Sequence, residues 1–209
     1  MRVFDIFRSI QGEGTRAGLV MDFVRLAGCD LACTYCDTPE ARDPSAGRDM
    51  TVADVLAALP SPPVPCVEIT GGEPMLQPKE VSALVARLIA GGREVLVETS
   101  GAHLVQGLDA RAVRILDVKT PGSGMADRMC WANLDRLTPR DEVKFVLTDR
   151  ADYEWAKQVV ARYRLADRAV VLFSPADPPL SAAALARWMI DDALPVRLNL
   201  QIHKYLRLP

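Results

Sequence analysis

No stretch of the 209-residue chain approaches the roughly 20 consecutive apolar residues that a membrane-spanning helix requires. The amino terminus, Met1-Arg2-Val3-Phe4-Asp5-Ile6-Phe7-Arg8, meets a charge every few residues and lacks the apolar centre of a secretory signal. These absences argue against a membrane protein or an exported one and point to the cytoplasm, the compartment that keeps thiols reduced. The chain has no Lys/Arg block, and 25 basic against 27 acidic residues leave a net charge of −2. Nothing in that balance draws it to nucleic acid or to an anionic membrane. Repeats, low-complexity tracts and linkers are also missing. Residues 1–209 therefore read as one domain, and a hydrophobic content of 49% supplies a sizeable core.

What is present is a concentration of cysteine. Cys29-Asp30-Leu31-Ala32-Cys33-Thr34-Tyr35-Cys36 places three thiols within eight residues, just after the mostly apolar run 19–26. Three is an odd number, so a disulfide leaves one thiol over. A closed zinc site wants four ligands and would have to recruit His103, His203, Cys66 or Cys130 from far along the chain. An iron-sulfur cubane fits better. Such a cluster is normally held by four cysteines, so three leave one iron open to an exogenous ligand. Cys66 lies in an apolar run and reads as a small core residue.

Strands are expected at 3–10 and 19–26, joined by the glycine-rich turn Gln11-Gly12-Glu13-Gly14-Thr15-Arg16-Ala17-Gly18. That turn places Gln11 and Glu13 on the same rim as the cysteines. Residues 37–49 read as irregular, and Thr51 as the N-cap of a helix. Beyond it, strands at 65–70, 94–98, 113–118, 142–147, 169–173 and 196–200 alternate with helices at 79–90, 151–163 and 181–190. Alternation of this kind predicts a parallel sheet with crossover helices. A closed eight-fold barrel takes about 250 residues, so the expected α/β architecture is a partial, open TIM-like barrel with an N-terminal hairpin. Several chemistry-bearing groups follow strand ends, where parallel folds carry their sites: the cysteines, Thr70-Gly71-Gly72, Glu98, Asp117-Val118-Lys119, Ser174, Gln201 and His203. Gly71-Gly72 reads either as a tight turn or as a place where backbone approaches a ligand. Asp117 and Lys119 point to one side of their strand, either paired with each other or turned to a ligand.

The cysteine triplet with Tyr35 before its last member, together with Thr70-Gly71-Gly72-Glu73-Pro74, resembles the signature of the radical S-adenosylmethionine (SAM) superfamily. The resemblance implies a [4Fe-4S] cluster on Cys29, Cys33 and Cys36. Its open iron would chelate SAM, which one electron cleaves to a 5'-deoxyadenosyl radical. It further implies a partial barrel of the radical SAM type. SAM would be held by Tyr35, Gly71, Gly72, Glu73, Glu98, Asp117 and Lys119, and by Phe173-Ser174-Pro175-Ala176.

Further stretches narrow the resemblance. Ile10-Gln11-Gly12-Glu13-Gly14, Phe23-Val24-Arg25-Leu26-Ala27-Gly28-Cys29, Cys36-Asp37-Thr38, Asp117-Val118-Lys119-Thr120-Pro121-Gly122-Ser123-Gly124-Met125 and Gln201-Ile202-His203-Lys204 are together similar to the 7-carboxy-7-deazaguanine synthase family. The similarity covers essentially the whole chain. It implies ring contraction of 6-carboxy-5,6,7,8-tetrahydropterin to 7-carboxy-7-deazaguanine and ammonia, on the route to queuosine and other 7-deazapurines, with SAM regenerated and Mg2+ required. Gln11, Gly12 and Glu13 would read the pterin, Arg25 its carboxylate, and Thr70, His203 and the carboxylate of Pro209 would add contacts. Thr38 would offer a hydroxyl to Mg2+, although on its own it reads as a turn cap beside Asp37. A homodimer and an electron donor such as flavodoxin or ferredoxin are implied as well. The chain departs from the family's Asp-x-Lys-x-Pro-Ser-Ser-Gly pattern at Gly122, which has no side chain to offer SAM.

Two rivals remain at this level. A glycyl-radical-activating enzyme carries the same triplet, but gives the Gln-Gly-Glu-Gly turn and the Asp-Val-Lys-Thr-Pro segment no role. A zinc or electron-transfer module would need no SAM.

Overall fold

The computed structural model describes residues Met1–Pro209. Nine strands form one sheet: β1 (Arg2–Ile10), β2 (Val20–Leu26), β3 (Arg48–Asp49), β4 (Cys66–Gly71), β5 (Glu94–Thr99), β6 (Val113–Val118), β7 (Glu142–Leu147), β8 (Val170–Pro175) and β9 (Arg197–Leu198). Their order is β3-β1-β2-β4-β5-β6-β7-β8-β9. β1 and β2 make an antiparallel hairpin, and every pairing from β2 to β9 is parallel. The edges β3 and β9 are two residues each and do not meet, so the barrel is open, as its length predicts.

The helices are α1 (Val52–Ala58), α2 (Pro78–Ala90), α3 (Arg150–Tyr163), α4 (Ala182–Asp191) and α5 (Ile202–Leu206). Local chemistry sets their starts. Thr51 and Asp54 form a reciprocal capping box, Asp149 accepts from the Asp152 N–H, and Ser181 accepts from that of Ala184. Two crossovers, for which no helix was expected, carry no α-helix. Residues between β5 and β6 form bends, and those between β6 and β7 form short 3-10 turns at Pro121–Ser123, Ala126–Arg128 and Trp131–Arg136. Gly101 and Gly107 interrupt the first segment and Pro121, Gly122, Gly124 and Pro139 the second, which leaves no uninterrupted apolar stripe for an α-helix to bury. The last strand is shorter than the expected 196–200, and α5 follows it unforeseen.

Period-two alternation decides which side chains reach the centre. In β7, Val143, Phe145 and Leu147 join the outer core with α3 and α4, so Glu142, Lys144 and Val146 face inward. In β4, Val67 and Ile69 pack beneath α2, so Glu68 and Thr70 face inward. Met21, Phe23, Cys66, Leu96, Val113 and Ile115 form a small apolar layer of their own.

Candidate active site

Against the inner face lies a cavity of about 660 Å3. It gathers Gln11, Gly12, Glu13, Arg25, Cys29, Cys33, Tyr35, Cys36, Thr38, Thr70, Gly71, Gly72, Glu98, Asp117, Lys119, Ser174, Pro175, Ala176, His203 and Pro209. Residues separated by up to 198 positions thus share one wall.

The cysteine loop is fastened from outside. The Thr34 N–H donates to the Ser123 carbonyl (3.1 Å) and its hydroxyl to that of Gly122 (2.8 Å). Asp30 is held by Arg128 (2.7 Å) and His103 (3.0 Å), while the Gly28 and Cys29 N–H groups donate to Ala41 and Arg42. Leu31 anchors the loop's interior side at 2% exposure. All three cysteines are free thiols, and burial raises the pKa of Cys29 and Cys33 above the ordinary thiol range.

Gly71 and Gly72 are required by packing as well as by any ligand. Gly71 has φ +136°, and a Cβ there would lie 2.3 Å from the backbone nitrogen of Leu26. At Gly72 it would lie 2.1 Å from the carbonyl of Gly28. The glycine pair therefore lets β4 abut the segment that leads into Cys29, with the Gly72 N–H donating to Leu26 and the Glu73 N–H to Gly28.

Glu73 and Phe173 correct the sequence expectation, since neither lines the cavity. The Glu73 side chain is fully enclosed, and its carboxylate accepts from the N–H groups of Met75 and Ser100 and the hydroxyls of Thr99 and Ser100, at 2.5–2.7 Å. It ties the end of β5 to the glycine turn and has no face left for SAM. Phe173 points outward, edge-on to Phe145 and Tyr153, because it shares the outer parity of Val171. Ser174 carries the inner parity instead and lines the cavity.

The glycine-rich turn does not hang on the rim but runs across the inner face. Arg16 pairs with Glu94 (2.6 Å) and Glu142 (3.0 Å), the first residues of β5 and β7. Two residues along β7, Lys144 pairs with Glu13 (3.1 Å) and, in a shorter contact, with Glu98. Glu13 also accepts from Gln201 (2.8 Å) and Asn199 (3.1 Å). Burial alone would raise its pKa, but Lys144 and the Gln201 hydrogen bond together outweigh that and hold it below the ordinary carboxylate range. Glu68 behaves oppositely. Burial, with Glu98 nearby, pushes it well above that range, and Gln11 donates to it. Gln11 in turn accepts from the Glu13 N–H (3.0 Å), so its amide orientation is fixed at both ends.

Toward the cysteines, Asp117 and Lys119 are both paired with each other (2.8 Å) and exposed to the cavity, which unites the two alternatives the strand left open. Asp117 Oδ1 is buried without a partner, an acceptor turned to the site. Lys119 lies 5.8 Å from the Tyr35 ring centroid. Arg25 donates to the Thr38 hydroxyl (2.8 Å) and stands 5.7 Å from the Phe7 ring centroid, which is itself stacked on Phe23. On the far side, the Ile202 N–H donates to the Gly12 carbonyl (3.0 Å) and Lys204 pairs with Asp37 (3.4 Å), so 201–209 lies over the cavity. A Cβ on Gly12 would sit 1.8 Å from His203 Nδ1. Burial lowers the His203 pKa, which favours the neutral imidazole.

Lys144, Glu68 and Asn199 were not foreseen. For the first two a signal existed: a charged residue of inner parity in an otherwise apolar strand. Gly122 also finds its explanation. A Cβ there would fall 2.1 Å from Thr148 Oγ1 and 2.4 Å from Asp152 Oδ2, so the buried Asp152 carboxylate fills the space of the missing side chain.

Residues 24–181 match the model of the radical SAM superfamily. Over its whole length the chain is 40% identical to a 7-carboxy-7-deazaguanine synthase of Koribacter versatilis (strain Ellin345), of which it covers 98%. The chain belongs to the 7-carboxy-7-deazaguanine synthase family. A second member, from Chlorobaculum tepidum, is 40% identical over 99% of the chain and 94% of its own length; one from Methanospirillum hungatei is 38% identical over 100% and 86%. The fold is that of the crystal structure of QueE from Escherichia coli, with a TM-score of 0.77 over 96% of this chain and 93% of that one, at 22% identity.

Radical SAM membership implies a [4Fe-4S] cluster and SAM. The donor set fits them. No three His, Cys, Asp or Glu side chains converge as a closed single-ion centre, whereas three thiols line one wall of a cavity. Cys29, Cys33 and Cys36 would hold a cubane by three thiolates, which would leave one iron open to an exogenous ligand. No helix is long and apolar enough to cross a membrane.

Proposed function

We propose that the chain converts 6-carboxy-5,6,7,8-tetrahydropterin to 7-carboxy-7-deazaguanine with release of ammonia. One observation carries this reading: a single cavity joins the cysteine wall to the Gln11-Gly12-Glu13 turn and to the Arg25–Thr38 pair. When bound, the cluster and SAM supply a carbon radical for hydrogen abstraction, fed by a one-electron donor of the flavodoxin or ferredoxin kind.

The remaining work falls to the chain's own groups. Arg25 spends one N–H on Thr38 and keeps others for a substrate carboxylate, in a planar fork that lysine could not reproduce. Thr38 retains oxygen lone-pair capacity after accepting from Arg25, which suits a hard Mg2+ ion sharing waters and a substrate oxygen. Glu13, kept ionised, accepts from an amino-pyrimidine edge. Neutral His203 can donate or accept beside it. Asp117 Oδ1 and Lys119 offer one acceptor and one cation to a zwitterionic amino acid group such as that of SAM. The segment 201–209 limits water over the reacting centre. It also counts against the rival in which a partner protein's glycine enters, because that substrate needs an open docking face.

The test is anaerobic reconstitution with iron and sulfide, then incubation with the pterin, SAM, Mg2+ and reductant, with products read by mass spectrometry. Deazapurine that disappears in Cys33→Ala supports the reading. Deoxyadenosine without deazapurine keeps the radical chemistry and removes the substrate.

A further inference from the structure

Lys144 is a charged group that contacts both halves of the cavity. It projects from the middle of β7 with its side chain 8% exposed. Its ammonium reaches Glu13 of the glycine-rich turn at 3.1 Å, Glu98 at the end of β5 in a shorter contact, and Asp117 of β6 at 3.8 Å. An ammonium has three N–H donors, and three carboxylates from three elements surround this one. Lys119 cannot substitute for it, because that lysine is engaged with Asp117 at 2.8 Å. Nor is Lys144 needed to close the floor of the barrel, where Arg16 already bridges Glu94 and Glu142.

The neighbours of Lys144 come from both walls. Glu13 belongs with Gln11 and Gly12 on the wall assigned to the pterin. Glu98 shares its face with Asp117, on the wall assigned to SAM, and takes a further bond from Thr70 (3.2 Å). We propose that Lys144 is a positioning residue: its ammonium fixes the Glu13 carboxylate against that of Glu98, and so sets how substrate and cofactor lie toward each other. The assignment rests on the functional reading above. Burial alone would lower the Lys144 pKa, but the surrounding carboxylates outweigh it and hold the group charged. A radical transfer is sensitive to such placement, since a displacement of about 1 Å costs on the order of 100-fold in rate.

The experiment compares wild type with Lys144→Met, Lys144→Gln and Lys144→Arg in three readouts. The first is pterin affinity of the cluster-free chain by calorimetry; the second is kcat and KM of the reconstituted enzyme; the third is the ratio of deoxyadenosine released to deazapurine formed. For K144M and K144Q, pterin affinity falls by about tenfold or more, since a buried carboxylate loses its partner. Their kcat falls by about 100-fold, and SAM is cleaved without product. K144R, which keeps the cation, regains pterin affinity more than it regains kcat, because its planar head is displaced from the ammonium position. If pterin affinity and the product ratio stay within about twofold of wild type while only thermal stability drops, Lys144 is structural and the proposal is overturned. Should K144M and K144Q fail to fold, K144R carries the same test, and an unchanged ratio there overturns it equally. Absence of product from wild type would overturn the assigned reaction and this role together, whereas product from wild type with an unchanged variant overturns this role alone.

Discussion

Replacing Glu73 with glutamine should destabilise the chain even before any cofactor is added. Each carboxylate oxygen accepts from one backbone N–H and one hydroxyl: Met75 N–H and Thr99 on one side, Ser100 N–H and Ser100 Oγ on the other. In E73Q one oxygen becomes an NH2 group, whichever way the amide is placed. The hydroxyl on that side can rotate and accept; the N–H cannot, and is left facing another donor. A buried unsatisfied N–H costs about 1–3 kcal/mol, and loss of the charge-assisted bonds adds about another 1 kcal/mol, for a total near 2–4 kcal/mol. For a chain of this length that is a fall in unfolding midpoint of about 4–16 °C. The assay is thermal or urea unfolding of the cluster-free protein, with Ser100→Ala as a milder control that removes only a hydroxyl. An E73Q midpoint within about 1 °C of wild type would refute the enclosure reasoning. Loss of SAM binding at unchanged stability would show that Glu73 touches the cofactor directly.

Three further outcomes are expected. Gly12→Ala displaces His203, whose Nδ1 lies 1.8 Å from the new Cβ, so pterin affinity falls by about tenfold, or 1.4 kcal/mol, in calorimetry; unchanged affinity would remove His203 from the site. Gly122→Ser forces Asp152 and Thr148 apart and lowers stability by about 1–3 kcal/mol in urea unfolding; a neutral result would show that the pocket adapts. Glu68 has a folded pKa raised above its ordinary value of 4.5, with Glu98, Glu13 and Lys144 around it. The native state therefore binds the extra proton, so this group's stabilisation is present below that value and is lost as pH rises through the folded pKa. Glu68→Gln keeps an acceptor for Gln11 and removes the titration; its unfolding free energy should gain on wild type between pH 5 and pH 8, and a pH-independent difference between the two proteins would refute the shift.

The parallel sheet and the openness of the barrel were legible because alternation and length constrain them. β6 and β7 coincide with their expected bounds, and Thr51 caps α1 as its side chain implies. What sequence missed came from tertiary context. Nothing local shows that the Gln11–Gly18 turn crosses the inner face, since that depends on Arg16 meeting residues 78 and 126 positions away. The parity of β7 marked Lys144 as inward, yet its role needed Glu13 and Glu98 in space. Phe173 failed for the opposite reason: a strand-end motif was read as a block, when alternate side chains of a strand face opposite ways. Glu73 likewise stood in a motif whose function was assigned whole, while the fold uses its glycines for close packing and its carboxylate as a tie.

The fastening of the cysteine loop has a consequence for maturation. In small zinc domains the metal supplies the folding energy, and the apo chain is unfolded. Here the loop takes its shape from Ser123, Gly122, Arg128, His103, Ala41 and Arg42, none of which is a thiol. The receptacle is thus held by contacts of the scaffold that involve no thiol. Oxidative loss of iron would then leave an empty but folded acceptor, ready for reloading, and one fold could pass through repeated cycles of damage and repair.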